Sequence, residues 1–233
     1  MRKQEQAAIE ALAEHFSATW EKGEAPPDAY ITMAGKRIAV DVASIKRRIA
    51  GRDGLGKPRL RFDRVALRFI TGLQAALHED VPDGDTVIVT VTAPIRLPAK
   101  AAAALEDKIR SSLARRSGRV ELTESIHGNQ IRVRLVRGGP SGASRVIGFV
   151  HNPDSDPDVL LDMTQSLLER IGAMARRRSP ARVAGDRWLV ILDEGGISDT
   201  DTCRLVYAQL SLPTDFKKIL MVLAGGRVET LAG

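Results

Sequence analysis

The sequence lacks the marks of several protein classes. It contains a single cysteine, Cys203, which excludes an internal disulfide framework. No apolar run approaches the roughly 20 residues that a membrane-spanning helix needs. Residues 1–6 carry charge and lead into a helical pattern, whereas a secretory signal has a hydrophobic region there. We therefore expect a cytoplasmic protein that has no membrane partner and in which Cys203 is a small buried residue.

Two common kinds of ligand site are also missing. Residues 51–57 match the first positions of the Walker phosphate loop, but Pro58 stands where the loop needs a magnesium-binding hydroxyl. Lysine and arginine precede this segment in place of the buried strand that such a loop follows. The histidines have no spacing typical of zinc ligands: His15, His78, His127 and His151. We expect neither a nucleotide-binding loop nor a zinc site.

Aromatic residues are scarce, but the chain is long enough for a large core. Of its 233 residues, 4% are aromatic and 43% are hydrophobic, so we expect a core made mainly of Ala, Val, Leu and Ile. This composition fits a single domain spanning residues 1–233. Residues 84–140 have the pattern of a strand, a helix and a hairpin, and they are a candidate inserted lobe.

Helical and strand patterns alternate along the chain. Helices are predicted over residues 3–21, 61–78, 98–116, 157–178 and 200–210. Strands are predicted in a hairpin over residues 28–43 and over residues 86–92, 120–123, 131–136, 145–150, 188–192 and 218–224. The run at residues 188–192 is apolar throughout, as in a strand covered on both faces. We expect an α/β fold with a mixed central sheet flanked by helices.

The hairpin carries two acids that could form a site. Asp28 opens its first strand, Ala34 and Gly35 supply the turn, and Asp41 lies late in its second strand. Folding back at the glycine brings Asp28 and Asp41 level with one another. Such a pair of carboxylates can hold Mg²⁺. Each acid also has a plain structural explanation, since Asp28 can cap a turn after Pro27 and Asp41 can face solvent.

A helix followed by a hairpin with this acid spacing resembles the PD-(D/E)XK nuclease superfamily. The resemblance covers residues 1–45 and implies the restriction-endonuclease-like fold, with nucleic acid as the partner. It implies Asp28, Asp41 and, from the preceding helix, Glu10 as catalytic acids, with Asp28 and Asp41 holding Mg²⁺. Many nucleases of this type pair up to cut two strands, so the resemblance also allows a homo-oligomer.

One part of the superfamily pattern is absent. A lysine should follow the second acid by two residues, and this position is Ala43. Lys36 and Lys46 lie at odd spacing from Asp41, so they point to the other face of a strand. Arg37 has the right parity, but its guanidinium cannot readily give up a proton. The resemblance therefore supports the fold better than the catalysis.

A basic segment follows the hairpin. Between Ser44 and Arg68 the chain has nine lysines and arginines but only two aspartates, a charge that could steer a phosphate backbone toward the acids. The alternative is a solvated surface. Phe62 and Phe69 fit a buried helix stripe with Val65 and Leu73, which makes base stacking the less favoured use. The candidate nucleic-acid-binding residues are Lys46, Arg47, Arg48, Arg52, Lys57 and Arg59.

A second group of arginines ends the helix that begins at Pro157. Residues 176–178 are all arginine, and cations suit the carboxyl end of a helix because they complement its dipole. Phosphate binding is the other interpretation of this group.

Three functions are consistent with these features. The first is Mg²⁺-dependent hydrolysis of DNA or RNA, in which the metal ion polarises the phosphate and activates water. The second is a degenerate nuclease fold that binds nucleic acid or a protein partner without cleavage, as Ala43 suggests. The third is an interaction protein whose basic segment contacts an acidic partner.

Overall fold

The structure is a computed structural model that describes residues 1–24, 26–45, 59–115, 120–177, 185–194, 200–223 and 225–233. The expected alternation of helices and strands is confirmed. The helices are α1 (Lys3–His15), α2 (Arg64–Leu77), α3 (Pro98–Ala114), α4 (Pro157–Arg176) and α5 (Thr200–Leu210). The strands are β1 (Thr19–Lys22), β2 (Ala29–Met33), β3 (Lys36–Ile45), β4 (Thr86–Thr92), β5 (Val120–Ile126), β6 (Asn129–Val136), β7 (Val146–His151), β8 (Arg187–Asp193), β9 (Lys218–Val222) and β10 (Val228–Ala232).

The chain divides into two compact units. The first unit comprises residues 1–49, 166–207 and 214–233, and the second comprises residues 50–165 and 208–213. The second unit contains the expected lobe at residues 84–140 but extends beyond it on both sides. It is larger because β7 pairs with β4 and α2 packs on the same sheet, so these elements share one core.

The first unit contains a six-stranded mixed sheet in the order β1-β2-β3-β8-β9-β10. Strands β1, β2 and β3 form an antiparallel meander, β8 and β9 continue the sheet in parallel with β3, and β10 is antiparallel to β9. Helix α1 packs on one face, where Ile9 and Leu12 join Ile38, Val40 and Val42 in a buried cluster. Because strand side chains alternate, residues 39, 41 and 43 face the other side.

The predicted hairpin is confirmed as β2 and β3. Met33 pairs with Lys36, and the two turn residues between them, Ala34 and Gly35, have φ angles of 48° and 75°. Two successive positive φ angles match the right-handed twist of the flanking strands. The register then places Ala29 opposite Val40, so that both acid-bearing ends of the hairpin meet.

The first helix is shorter than predicted. It ends at His15, and residues 19–22 form β1, which pairs with β2 from Thr19 opposite Thr32 to Lys22 opposite Ala29. Trp20, which falls inside the helix predicted over residues 3–21, instead lies opposite Ile31 in the sheet. Pairing with β2 gives one side of this edge strand backbone hydrogen bonds, and this outweighs its local helical pattern.

The second unit contains its own four-stranded sheet, in the order β5-β6-β4-β7. The predicted strand at residues 145–150 therefore does not belong to a single central sheet. It forms β7, which is parallel to β4 at the edge of this second sheet. Helices α2 and α3 pack against β4 through a shared apolar cluster that includes Phe69, Leu73, Leu105 and Val89.

The stripe predicted for α2 is partly wrong. Phe69 and Leu73 are buried, but Phe62 and Val65 are 52% and 49% exposed. The helix begins at Arg64, after Asp63 caps it by accepting hydrogen bonds from the amides of the next turn. Phe62 thus lies outside the helix, and the buried stripe runs through Ala66, Phe69, Leu73 and Leu77.

Two further expectations can be compared with the structure. Cys203 is buried in α5, as predicted. Among the described residues, no helix has both the length and the apolar character required to span a bilayer.

Replacement by alanine is expected to have opposite effects on stability at two glycines. In Gly23→Ala the new Cβ would overlap the backbone carbonyl oxygen of Pro27, in the connection that leads to Asp28. We expect a loss of at least about 2 kcal/mol in the free energy of unfolding, measured by urea denaturation. Gly72 lies inside α2 with open space around it, so Gly72→Ala should gain about 0.5–1 kcal/mol. Equal effects of the two changes would contradict this account.

Candidate functional site

The hairpin brings the two predicted acids together. Asp28 lies just before β2, where its amide donates to the Val40 carbonyl at 3.0 Å and its Oδ2 accepts from the Val42 amide at 2.8 Å. Asp41 lies in β3 with its side chain on the face opposite α1. One nitrogen of Arg177, Nη1, lies 3.3 Å from Asp28 Oδ2 and 4.0 Å from Asp41 Oδ1. The two carboxylates therefore flank the same guanidinium.

Arg187 is the main partner of Asp41. It opens β8, next to β3, and its Nε and Nη2 lie 2.8 and 2.7 Å from Asp41 Oδ2. Its Nη1 donates to both carboxylate oxygens of Asp215, at 3.0 and 2.9 Å. Its Nη2 also donates to the Met174 and Arg177 carbonyls, each at 3.1 Å. Every N–H of this guanidinium thus has an acceptor, and the side chain joins two strands to the end of α4.

Arg177 follows directly after α4 and completes the cluster. The sequence predicts it as a cation at the end of a helix or as a phosphate ligand. Instead its guanidinium contacts both Asp28 and Asp41, and its side chain is 33% exposed. Asp28, Asp41, Arg177, Arg187 and Asp215 together form what we call the aspartate–arginine cluster, all of it within the first unit.

Asp41 is completely buried, with 0% of its surface exposed. Burial raises the pKa of Asp41, because a carboxylate loses its hydration inside the protein, and the neighbouring charge of Asp28 acts in the same direction. The guanidinium groups of Arg187 and Arg177 oppose this shift. The expectation that Asp41 faces solvent is therefore wrong, and its charge depends on these arginines.

Glu10 is not part of the cluster. Its side chain is exposed on α1 and accepts a hydrogen bond from Gln6 Nε2 at 2.9 Å. Helix α1 covers the face of the sheet formed by Val40 and Val42, whereas Asp41 points to the other face. Within the described ranges, no group of three or more His, Cys, Asp or Glu residues could hold a metal ion.

The cluster does not fit a magnesium site in this arrangement. Mg²⁺ needs oxygen ligands in a near-octahedral set, but Asp41 Oδ2 already accepts from Arg187 and Asp28 Oδ2 from Val42 and Arg177. Two guanidinium groups also place positive charge where the metal ion would bind. Ala43, at the lysine position of the superfamily, is buried and contributes no polar group.

The remaining basic candidates are distributed unevenly. Lys46, Arg47, Arg48, Arg52 and Lys57 lie outside the described residues. Arg59 is exposed, and its carbonyl accepts from the Asn152 amide at 3.1 Å beside the end of β7. Arg61, Arg64 and Arg68 are exposed before and along α2.

Sequence reasoning missed Arg187 and Asp215 and misjudged Arg177. One signal could have pointed to them. Asp41 lies among Ile38, Ala39, Val40, Val42 and Ala43, a run typical of a strand buried on both faces, and a buried carboxylate needs a cation beside it. Arg187, which opens the next buried apolar strand, is the natural candidate.

Removal of Arg187 should be costly because it leaves Asp41 buried without its main partner. We expect Arg187→Met to lower the free energy of unfolding by about 3–5 kcal/mol in urea denaturation. The matched control is Arg37→Met, since Arg37 forms an exposed ion pair with Glu21 and should matter by about 1 kcal/mol or less. In Asp41→Leu/Arg187→Met, both charges of the pair are gone and a large part of the loss should be recovered.

The single variant Arg187→Met should also change how the free energy of unfolding depends on pH. A carboxyl with a raised pKa in the folded state stabilises the fold fully below its unfolded value of about 3.9 and loses this contribution as the pH rises through the raised value. Arg187→Met removes an opposing cation, so the pKa of Asp41 should rise further. We expect its free energy of unfolding to fall more steeply than that of the wild type as the pH rises above about 4. Parallel profiles would show that Asp41 does not depend on Arg187.

Comparisons with known proteins leave the sequence resemblance untested. No family model, curated protein or solved structure matches this chain. Membership of the PD-(D/E)XK superfamily therefore stays a prediction. The geometry described above, in which two acids on a hairpin are held by two arginines, is the basis for assigning a function.

Proposed function

We propose that this chain is a catalytically degenerate protein of the restriction-endonuclease-like fold that binds nucleic acid without cleaving it. The observation that carries the proposal is the burial of Asp41 against Arg187. A catalytic acid must reach a metal ion and a substrate, whereas Asp41 has no exposed surface and is bound by a side chain of the same protein. In this proposal, the two acids stabilise the sheet and no longer perform hydrolysis.

The topology of the first unit supports the fold part of the proposal. A helix comes first, an antiparallel meander carries the two acids, and a further strand, β8, lies parallel to β3 in a mixed sheet with α1 on one face. This order agrees with the helix, hairpin and mixed sheet implied by the sequence resemblance. The second unit then takes the role of an insertion that begins after β3 and includes the first half of α4.

Charge supports the binding part of the proposal. The chain has a net charge of +6, and exposed arginines follow one another at Arg59, Arg61, Arg64 and Arg68. Positive surface charge attracts a phosphate backbone and gains free energy by releasing its counterions. The proposal includes a cytoplasmic location, where such a partner is found.

Phosphodiester hydrolysis with Mg²⁺ is the competing function. One observation favours it: the hairpin places Asp28 and Asp41 beside the same cation position, which Arg177 Nη1 now takes. Hydrolysis would require Arg177 to leave and Arg187 to release Asp41. Mg²⁺-dependent hydrolysis would therefore require the metal ion to displace two guanidinium groups from the acids.

A cleavage assay separates these functions. Labelled single- and double-stranded DNA and RNA are incubated with the purified chain and increasing Mg²⁺ or Mn²⁺. We expect no cleavage but measurable binding, with an affinity that falls about tenfold or more between roughly 50 and 200 mM salt. Asp28→Asn should retain this binding, as should the control Glu10→Gln.

Two results would contradict the proposal. Cleavage that is lost in Asp28→Asn, with the fold intact by circular dichroism, would establish the nuclease instead. Failure to bind any nucleic acid, even at low ionic strength, would leave an interaction protein with an acidic partner.

A further inference from the structure

The second unit contains a groove that the aspartate–arginine cluster does not involve. Its volume is about 700 Å³. One wall is the side of α2 that carries Leu67, Ile70 and Gln74, and the other is formed by the edge strand β7 and the loop before it. Leu60 and Phe62 lie at the end where the chain enters α2. The lining is mixed and includes both apolar side chains and polar groups.

Phe62 gives this groove an aromatic surface. It is 52% exposed, in contrast to Phe69, which is buried in the core of the same unit. The cause is local, since Asp63 caps α2 and leaves Phe62 outside the helix. An exposed aromatic ring in a groove can stack on a planar partner, and bases stack on such rings whatever their sequence.

Arginines border the groove. Arg61 and Arg145 are part of its lining, and Arg145 Nη1 donates to the His78 carbonyl at 2.7 Å, which fixes its position. Arg64 and Arg68 precede Thr71, a lining residue, by seven and three positions, so they lie on the same side of the helix as Thr71. Neither Arg64 nor Arg68 forms an ion pair with any other described residue. These charges are available to an external anion.

The acids near the groove are already engaged. Asp83 is the carboxylate found in the described lining, and it accepts hydrogen bonds from the Gly142 amide, at 2.9 Å, and from the Ser141 hydroxyl. Asp63 Oδ1 accepts from the Val65 and Ala66 amides at the start of α2, and its Oδ2 forms an exposed ion pair with Arg61 Nε at 3.7 Å. An exposed pair of this kind is weak, and Arg64 and Arg68 add unpaired charge beside it, so the Phe62 end of the groove has a net positive charge.

We propose that this groove binds a single-stranded nucleic acid, with Phe62 stacking on an unpaired base, Arg61 contacting the adjacent phosphate and Arg145, at the His78 end of α2, contacting a phosphate further along the strand. The strand must be single because a base within a duplex cannot present its face to a side chain. The apolar side chains of Leu60, Leu67 and Ile70 in the lining suit the apolar faces of bases, while the arginines suit the backbone. This inference rests on the proposed nucleic-acid binding and gives it a location and a strand preference.

Fluorescence anisotropy with the full-length chain tests the groove. The probe is a labelled DNA or RNA oligonucleotide of about 12 nucleotides, single-stranded or annealed to its complement. We expect the wild type to prefer the single strand. Phe62→Ala should weaken single-strand binding by between about 5-fold and 100-fold, and Phe62→Trp should retain it. Val65→Ala, an equally exposed neighbour that does not line the groove, is the matched control and should bind as the wild type does.

Salt titration tests the phosphate contacts separately. Arg61→Gln should reduce the slope of log affinity against log salt by about 0.7, the value for one phosphate of a single strand. Arg37→Gln, an exposed arginine of the first unit, should leave the slope unchanged. Thermal denaturation of each variant confirms that its fold is retained.

The outcomes separate failure of the groove from failure of the proposed function. Suppose that the wild type binds oligonucleotides and that Phe62→Ala and Arg61→Gln bind as the wild type does. This result would overturn the assignment of the groove as the binding site but not the proposal of nucleic-acid binding. If the wild type binds no oligonucleotide at low salt, both are overturned. Binding of an acidic apolar peptide, lost in Phe62→Ala, would then identify the groove as a peptide site.

Discussion

The contact between Arg187 and Asp41 is the constraint on which the first unit depends. It crosses from β8 to β3 in the middle of a mixed sheet, and the same guanidinium contacts Asp215, the Met174 carbonyl in the last turn of α4 and the Arg177 carbonyl just after it. Asp41 is fully buried, so bulk water cannot replace these contacts. Its Oδ2 is bound by Arg187, and among the described residues its Oδ1 has only the charge of Arg177 at 4.0 Å, so the buried carboxylate depends on these arginines and the strands and the helix end have little freedom to shift.

This constraint also determines what the two acids can do. Two carboxylates on a hairpin are a suitable start for a metal site, but the same geometry serves two arginines equally well. In this chain the arginines are part of the fold, and Arg177 takes the position between Asp28 and Asp41. The charges that would bind a metal ion and a phosphate are thereby used within the protein. The surface that we propose for a ligand lies instead in the second unit, where Phe62 is exposed near Arg64 and Arg68, which form no ion pair with any other described residue.

Features that depend on neighbouring residues could be predicted from the sequence. The hairpin with its turn at Ala34 and Gly35 followed from period-two alternation and a glycine, and β4 and α5 were found with their exact bounds. Features that depend on distant partners could not. The end of α1 was missed because β1 forms only by pairing with β2, and Arg187 lies 146 positions from Asp41. Phe62 was misplaced because the cap at Asp63 decides where α2 begins, and a stripe pattern alone does not contain that boundary.

The insertion of the second unit has a consequence for how the chain folds. Strands β3 and β8 are neighbours in the sheet, yet contacts such as that of Arg187 with Asp41 close a loop of 146 positions. Closing a flexible loop of this length costs about 4 kcal/mol of chain entropy. Collapse of the intervening residues into their own core reduces this cost before the sheet of the first unit is completed. Strands β8, β9 and β10 are therefore expected to join the sheet late in folding. Until then, Asp28 and Asp41 stay hydrated, because Arg177 and Arg187 are not yet in contact with them.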